Sequence, residues 1–168
     1  MLGLGLTLWP NRGPAGTGGG VGGGYRYWRI FILNNNGNGN YTALNEVELR
    51  GSVGGPDITT PATPVTASTQ YDATYDSKYT VDNLLVELPR WVSSPSVVTN
   101  QWLRYDLGTP TAIAQVALCY NADGAVGAGA SPKDLCIEGS NDGTNFTTVK
   151  TFLGNTSWPE GVFQVFNL

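Results

Sequence analysis

Trp102-Leu103-Arg104-Tyr105-Asp106-Leu107-Gly108 is the segment that decides the fold class of this chain. Apolar and polar residues alternate along it, and an alternation of period two is typical of a strand with one face in a core and one in water. The segment Glu46-Val47-Glu48-Leu49-Arg50 has the same alternation. Both segments therefore predict half-buried β-strands.

Five further runs are rich in β-branched and aromatic residues and are bounded by turn residues such as Asn141-Asp142-Gly143. These predicted strands cover residues 25–33, 113–120, 134–139, 147–152 and 161–166. The short connections between them favour antiparallel pairing. The sequence thus predicts an all-β domain with two sheets packed face to face, a β-sandwich, and a closed barrel is the alternative.

One stretch has helical spacing. Val81, Leu84, Leu85 and Leu88 follow the i, i+3, i+4, i+7 pattern, and Pro89 comes directly after them. A proline ends a helix because it removes a backbone donor and clashes with the preceding turn. The pattern predicts a turn or two of helix that ends at this proline.

The composition excludes several classes of function. The chain has 168 residues, a formal net charge of −4 and no histidine, so imidazole catalysis and histidine metal sites are excluded. Its nine basic residues are scattered, which gives no cationic surface for nucleic acid. No apolar run approaches the roughly 20 residues of a membrane span.

Cys119 and Cys136 lie in apolar, strand-like runs, which favours buried thiols over a single disulfide.

The first 24 residues differ from the rest. Met1–Pro10 is apolar, and eight of the twelve residues from Gly13 to Gly24 are glycine. Such a glycine content predicts a flexible tether, so the folded domain is predicted to cover residues 25–168. Our hypothesis is that Met1–Pro10 docks into a groove on another protein, and a disordered tail is the alternative.

Several segments resemble one family. Residues 102–108 resemble the W-L-x-x-D-L-G strand of discoidin domains, the coagulation-factor C-type modules. Residues 132–134 and 137–146 are similar to the P-x-D strand and the S-x-D-G-x-x-W/F hairpin of that family. Residues 67–93 resemble its A-S, A-x-D-G-N and T-x-W-x-S segments in part. The resemblance covers roughly residues 25–168 and implies a galactose-binding-like jelly-roll sandwich.

The order of these segments is unusual. Residues 26–30 and 43–49 are similar to the R-Y-x-R-I and L-x-E-I-E strands that close a discoidin domain, yet they come first here. The resemblance therefore implies a circularly permuted domain whose two ends meet in space. This order resembles modules of bacteriophage tail and virion proteins, which implies a location in the virion.

The resemblance also implies a site, because discoidin modules bind sugars, other surface glycoconjugates or lipid headgroups with loops at one end and are not catalysts. A sugar offers a weakly apolar face and a ring of hydroxyl groups, so its site needs an exposed aromatic ring beside planar polar groups. The loop residues of these types, and our candidate ligand-binding residues, are Tyr71, Tyr75, Arg90, Asn121, Asp123 and Trp158. The alternative role of a loop aromatic is to pack against the end of the sandwich.

The resemblance maps Glu46 and Asp82 onto carboxylate positions of a calcium site. Asn83 and Pro89 stand where the family has glycine and threonine, and both departures weaken the match. The alternative places Asp82 at a helix cap and Glu46 on a solvated strand face.

Glu46 and Glu48, roughly 7 Å apart on one strand face, could also form a glycosidase pair. The lack of a cleft-forming insertion argues against that reading.

Together these observations predict a non-enzymatic bacteriophage virion protein, associated with a tail or fibre, whose discoidin-like domain binds host-surface glycan. Residues 1–24 are expected to bind other virion proteins, and a homo-oligomer would raise weak sugar affinity. Structural Ca²⁺ is the one cofactor considered. The alternative is a purely structural decoration or tail-connector protein.

Overall fold

The architecture is all-β. The computed structural model describes residues 24–120 and 127–168, and within these residues ten strands carry most of the regular structure. They are β1 (Tyr25–Asn35), β2 (Ala43–Leu44), β3 (Glu46–Arg50), β4 (Val65–Ala67), β5 (Trp91–Val92), β6 (Gln101–Thr111), β7 (Gln115–Tyr120), β8 (Pro132–Ser140), β9 (Thr147–Phe152) and β10 (Val162–Asn167). Short 3-10 turns are formed by Ala73–Tyr75, Ser77–Val81 and Ala128–Ala130.

The strands form two main antiparallel sheets. The larger sheet has the order β4-β6-β1-β8-β9, and the smaller has the order β10-β7-β3. A short ribbon, β2 with β5, joins them at one end of the molecule. Side chains from both sheets meet in one hydrophobic cluster, which confirms the predicted discoidin-like β-sandwich.

The alternation along the sequence determines which face of each strand is buried. On β1, Trp28, Ile30 and Ile32 are fully buried, and the residues between them are partly exposed. On β6, Leu103 and Tyr105 are fully buried in the same way. β1 is the middle strand of the larger sheet, paired with β6 on one side and β8 on the other. The period-two prediction is therefore confirmed for this sheet.

The two cysteines are free thiols. Cys119 lies on β7, every residue of which is buried, and Cys136 lies partly buried on β8. Burial raises the pKa of the Cys119 thiol to about 11, so it is protonated at neutral pH. This confirms the prediction of free thiols over a disulfide, although the Cys136 thiol is less deeply buried than Cys119.

Both ends of the described chain lie at one end of the sandwich. Tyr25 pairs with Thr111 at the end of β6, and the backbone N–H of Leu168 donates to the carbonyl of Ala114, 2.9 Å away. The connection from β6 to β7 therefore contacts both chain ends. The predicted arm and tether, residues 1–24, lie outside the described residues apart from Gly24.

The predicted helix over residues 81–88 is wrong. The 3-10 turn ends at Val81, Asn83 has a left-handed φ of 63°, and the chain then runs as an irregular loop to Pro89. The side-chain amide of Asn45 donates to the carbonyls of Val86 and Glu87, at 2.8 and 3.2 Å. These carbonyls accept from the side chain of Asn45, the residue between β2 and β3, instead of the i+4 amides that a helix would supply.

Candidate functional site

The loops opposite the chain ends form the candidate site. Strands β1, β4, β7 and β9 end at this pole, and β3, β6, β8 and β10 begin there, because the pairing is antiparallel throughout. Several connections therefore meet at one surface, which we call the loop pole. Its described parts are residues 36–42, 68–90, 93–100, 127–131 and 153–161.

Three tyrosines form a chain of edge-to-face contacts at the loop pole, which we call the tyrosine ladder. The ring centroids of Tyr41 and Tyr71 are 5.8 Å apart, and those of Tyr71 and Tyr75 are 5.5 Å apart. The interplanar angles are 72° and 87°, the T-shaped arrangement that aromatic quadrupoles favour. Tyr71, in the middle, is 46% exposed. The ladder thus presents an aromatic surface to solvent on a fixed support.

Backbone hydrogen bonds hold the middle of the ladder in place. The N–H of Tyr71 donates to the carbonyl of Val92 on β5, 2.9 Å away. The Asp72 carboxylate caps the following 3-10 turn by accepting from the N–H of Thr74 at 2.7 Å, and Tyr75 ends that turn. Tyr71 and Tyr75 were both predicted as candidate residues, and the structure places them in contact.

Tyr41 was not among the candidates. Its N–H donates to the side-chain oxygen of Asn38, and its carbonyl accepts from the side-chain amide of Asn35 at 2.7 Å. The preceding run Asn34-Asn35-Asn36-Gly37-Asn38-Gly39-Asn40 is rich in turn formers, so a loop aromatic directly after it was a usable signal. What the sequence did not provide was its position beside Tyr71.

Arg90 supports the tyrosine ladder from beneath. Its guanidinium carbon lies 5.8 Å from the centroid of the Tyr75 ring, and the residue is only 3% exposed. One of its terminal nitrogens donates to the carbonyl of Glu87, 3.1 Å away. The structure thus corrects its predicted role as an exposed ligand group: Arg90 is a buried cation that fixes Tyr75 and the loop before it.

The structure also corrects the predicted role of Trp158 as an exposed ligand-binding residue. It is 6% exposed, its indole N–H donates to the carbonyl of Asn155 at 3.0 Å, and its ring packs 6.5 Å from that of Phe166. The residue therefore closes the core under the connection before β10 and does not form an exposed stacking surface. The candidates Asn121 and Asp123 lie outside the described residues.

Glu46 and Asp82 come together, as the calcium hypothesis requires. Glu46 is only 1% exposed, and its two carboxylate oxygens accept from the N–H groups of Asn83, at 2.9 Å, and Val47, at 3.3 Å. Burial and the nearby charge of Asp82 raise the pKa of Glu46 to about 8. Burial also raises the pKa of Asp82, which shares a hydrogen bond with Glu46. The expected solvated position of Glu46 is therefore wrong.

The chemistry of this carboxylate pair fits a hard cation. A buried carboxylate in contact with a partly exposed one disfavours the doubly ionised state, and either a shared proton or a bound Ca²⁺ offsets that cost. Among the described residues, no group of three or more His, Cys, Asp and Glu side chains converges on one point. A calcium ion would thus need backbone carbonyls to complete a shell begun by Glu46 and Asp82.

Comparison with known families adds a direct observation. The sequence model of the F5/8 type C domain matches residues 64–167, more than half of the chain. The chain belongs to the F5/8 type C family. This confirms the discoidin resemblance, and membership points to carbohydrate or surface binding in general. Comparisons with curated proteins and with solved structures gave no match.

The F5/8 type C match leaves out the first three strands. Nevertheless, β1 is the central strand of the larger sheet, and β3 pairs with β7 in the smaller one. Both sheets are therefore incomplete without residues that precede the matched segment. Within residues 24–120 and 127–168, no helix combines the length and the apolar character needed to cross a membrane.

The F5/8 type C domain also presents a surface that the sequence analysis missed. Four aliphatic residues between Asn83 and Pro89 are between 44% and 47% exposed: Leu84, Leu85, Val86 and Leu88. We call this segment the aliphatic loop. The spacing of Leu84, Leu85 and Leu88 predicted the buried face of a helix, but the segment forms no helix and these side chains are exposed. The aliphatic loop follows Asp82 directly and leads to Arg90, so it belongs to the loop pole.

Proposed function

We propose that this protein is a non-enzymatic carbohydrate-binding module that attaches a bacteriophage particle to the glycan surface of its host. The observation that supports this most directly is the half-exposed ring of Tyr71, held between Tyr41 and Tyr75. A sugar stacks its C–H face on such a ring at low entropic cost, because the ring is already fixed. Backbone groups around the ladder would bind the hydroxyl groups.

The tail or virion setting rests on the order of the segments. The matched segment begins at residue 64, and the strands that precede it include the central strand of the larger sheet, β1, and an edge strand of the smaller one, β3. We interpret this as a circular permutation, in which the strands that close a discoidin domain come first. The adjacent chain ends, at Thr111 and Ala114, make such a rearrangement physically simple.

In this setting residues 1–24 attach the domain to other virion proteins, and several copies act together. A single shallow site binds a sugar weakly, since few groups contact the ligand. Display of several copies on one particle raises the overall avidity through effective concentration. A homo-oligomer is therefore part of the proposal.

Calcium enters the proposal as a structural ion. Glu46 and Asp82 would hold it at the start of the aliphatic loop, where it would neutralise two carboxylates that otherwise compete for one proton. The role of these residues is to fix the loop beside the tyrosine ladder. The same contacts disfavour a glycosidase role, because Glu46 is buried and Glu48 is paired with Arg50.

The proposal is tested on a glycan array with the full chain in multimeric form. We expect binding to a defined class of glycans, and we expect Tyr71→Ala to weaken it by about tenfold or more while the far-ultraviolet circular dichroism stays unchanged. Absence of binding above background by the multimer would contradict the proposal. Binding that Tyr71→Ala leaves intact would move the site away from the tyrosine ladder.

The second candidate is a structural virion protein, and the aliphatic loop favours it. Exposed leucines that are contiguous in sequence are typical of protein interfaces. In this reading the loop pole packs against neighbouring subunits of the particle. A structure of the intact particle separates the two functions, because it places the tyrosine ladder either in solvent or in an interface.

A further inference from the structure

A wide concavity lies at the pole opposite the proposed sugar site. It is an open groove of about 630 Å³ between the 58–64 segment and the end of β6. Its apolar lining comes from Ile58, Ala62, Pro64 and Leu107. Neither the predicted site residues nor the proposed function makes use of this groove.

The groove is preformed. On one wall the N–H of Thr63 donates to the carbonyl of Thr60 at 2.8 Å, and the N–H of Thr60 donates back to the Thr63 hydroxyl at 3.0 Å. On the other wall Arg26 donates twice to the carboxylate of Asp106, at 2.8 Å each. A ligand would thus find both walls already ordered, which lowers the entropic cost of binding.

The charges of the groove are already satisfied. Arg26 and Asp106 neutralise each other, and the remaining lining residues carry no charge. The groove therefore complements an uncharged, apolar segment of chain. Met1–Pro10 has this composition, with leucine at positions 2, 4, 6 and 8, a tryptophan at position 9 and no charged side chain.

The position of the chain start agrees with this occupant. A Cβ atom on Gly24 would lie 3.5 Å from the backbone nitrogen of Thr111, which lines the groove. Residues 11–23 separate Gly24 from Pro10, and a glycine-rich chain of that length spans about 20 Å on average. A segment tethered so close to a site has an effective concentration in the millimolar range.

From these observations we infer that Met1–Pro10 binds in the groove of its own chain, with its leucines and Trp9 against Ile58, Pro64 and Leu107. This inference does not depend on sugar binding at the loop pole. In the free protein the apolar side chains of Met1–Pro10 would then be buried in the groove instead of being exposed to water. Attachment to a particle would then require its release.

The test uses the full chain labelled with 5-fluorotryptophan, with the Trp9 resonance assigned by Trp9→Phe. In the native protein we expect the ¹⁹F shift of Trp9 to differ from its shift in urea. Ala62→Glu places a charge on an exposed residue of the groove and should move the Trp9 resonance to the unfolded position. Ala73→Glu, on an exposed alanine at the loop pole, is the matched control and should leave it unchanged.

The other tryptophan resonances report whether each variant is folded. Leu6→Asp, within the segment itself, should reproduce the effect of Ala62→Glu without any change to the domain. A native Trp9 shift equal to that in urea would overturn the inference, as would a displaced shift that Ala62→Glu leaves unchanged. A displacement that grows with protein concentration would assign the groove to the segment of a second copy and overturn the same-chain assignment.

Discussion

The carboxylate of Glu46 accepts a hydrogen bond from the backbone N–H of Asn83, 2.9 Å away, and so connects the buried start of β3 with the start of the aliphatic loop. Strand β3 of the smaller sheet thereby holds the start of a loop at the loop pole. The protonation state of one buried side chain is thus coupled to the geometry of the candidate site.

Stability should decrease as the pH rises from about 5 to about 8 in the absence of divalent cations. The pKa of Glu46 is raised from 4.5 to about 8 in the folded protein, so between these values the folded state binds more protons than the unfolded state. The free energy of unfolding should fall by about 2–4 kcal/mol over this window. Urea denaturation with chelator at several pH values measures it. Glu46→Gln should flatten the slope, and Glu48→Gln should retain it.

Calcium should oppose this loss. Above a pH of about 8 the Glu46 carboxylate is predominantly ionised, and a cation bound between it and Asp82 would stabilise only the folded state. Millimolar Ca²⁺ should raise the melting temperature of the native chain by at least about 2 °C. Asp82→Asn should remove that increase, whereas Asp76→Asn, at the partly exposed cap of the turn Ser77–Val81, should not. Identical melting curves of the native chain with calcium and with chelator would exclude the ion.

Tyr71→Ala should reduce glycan affinity by about tenfold or more, because the central ring of the ladder is lost. The residue is 46% exposed, so the melting temperature should change little. Tyr71→Phe is the matched control, since it keeps the ring and removes only the hydroxyl. If Tyr71→Phe lost as much affinity as Tyr71→Ala, hydrogen bonding and not stacking would dominate.

Trp158→Ala should destabilise the domain by about 3–5 kcal/mol, because a buried indole leaves a cavity beside Phe166. Chemical denaturation measures the effect. Any loss of ligand binding should be restored under conditions in which the variant is fully folded. A stable Trp158→Ala variant that no longer binds glycan would instead return Trp158 to the ligand site.

Gly143→Ala should destabilise the β8–β9 hairpin more than Gly154→Ala destabilises its own turn. Both glycines have positive φ, 73° and 72°, so alanine strains either backbone by about 1 kcal/mol. At Gly143 the new Cβ would also lie 3.3 Å from the Tyr27 ring, whereas at Gly154 nothing lies within 4 Å. Thermal melts of the two variants give the difference. Equal losses would show that the tyrosine ring moves aside freely.

The sandwich was predictable because its strands alternate cleanly. Leu103 and Tyr105 face the core while Trp102 and Arg104 do not, and this pattern depends only on the pleat. The same alternation predicted a solvent-exposed Glu46, and this was wrong, because alternation shows on which face of a strand a residue lies but not whether other residues cover that face. Here Asn83, Leu85 and Phe163 line a small cavity over that face, and they come from distant parts of the chain.

The candidate site was predictable only in part. Tyr71 and Tyr75 are close in sequence and fall in a polar loop, so their position in one loop could be inferred, although Tyr75 is partly buried against the core. Arg90 and Trp158 also lie in loops, yet both are buried, since tertiary contacts with Tyr75 and Phe166 decide their environment. The aliphatic loop was assigned to a helix because its spacing is helical. The hydrogen bonds that Asn45 donates to the carbonyls of Val86 and Glu87 are not visible in a local pattern.

Entry and exit of the described chain beside Thr111 and Ala114 have a practical consequence. A fluorescent protein, an affinity tag or a trimerising coiled coil joined after Leu168 would project away from Tyr71. Biosensor surfaces loaded through such fusions would present every copy with the same orientation, its aromatic surface facing the analyte.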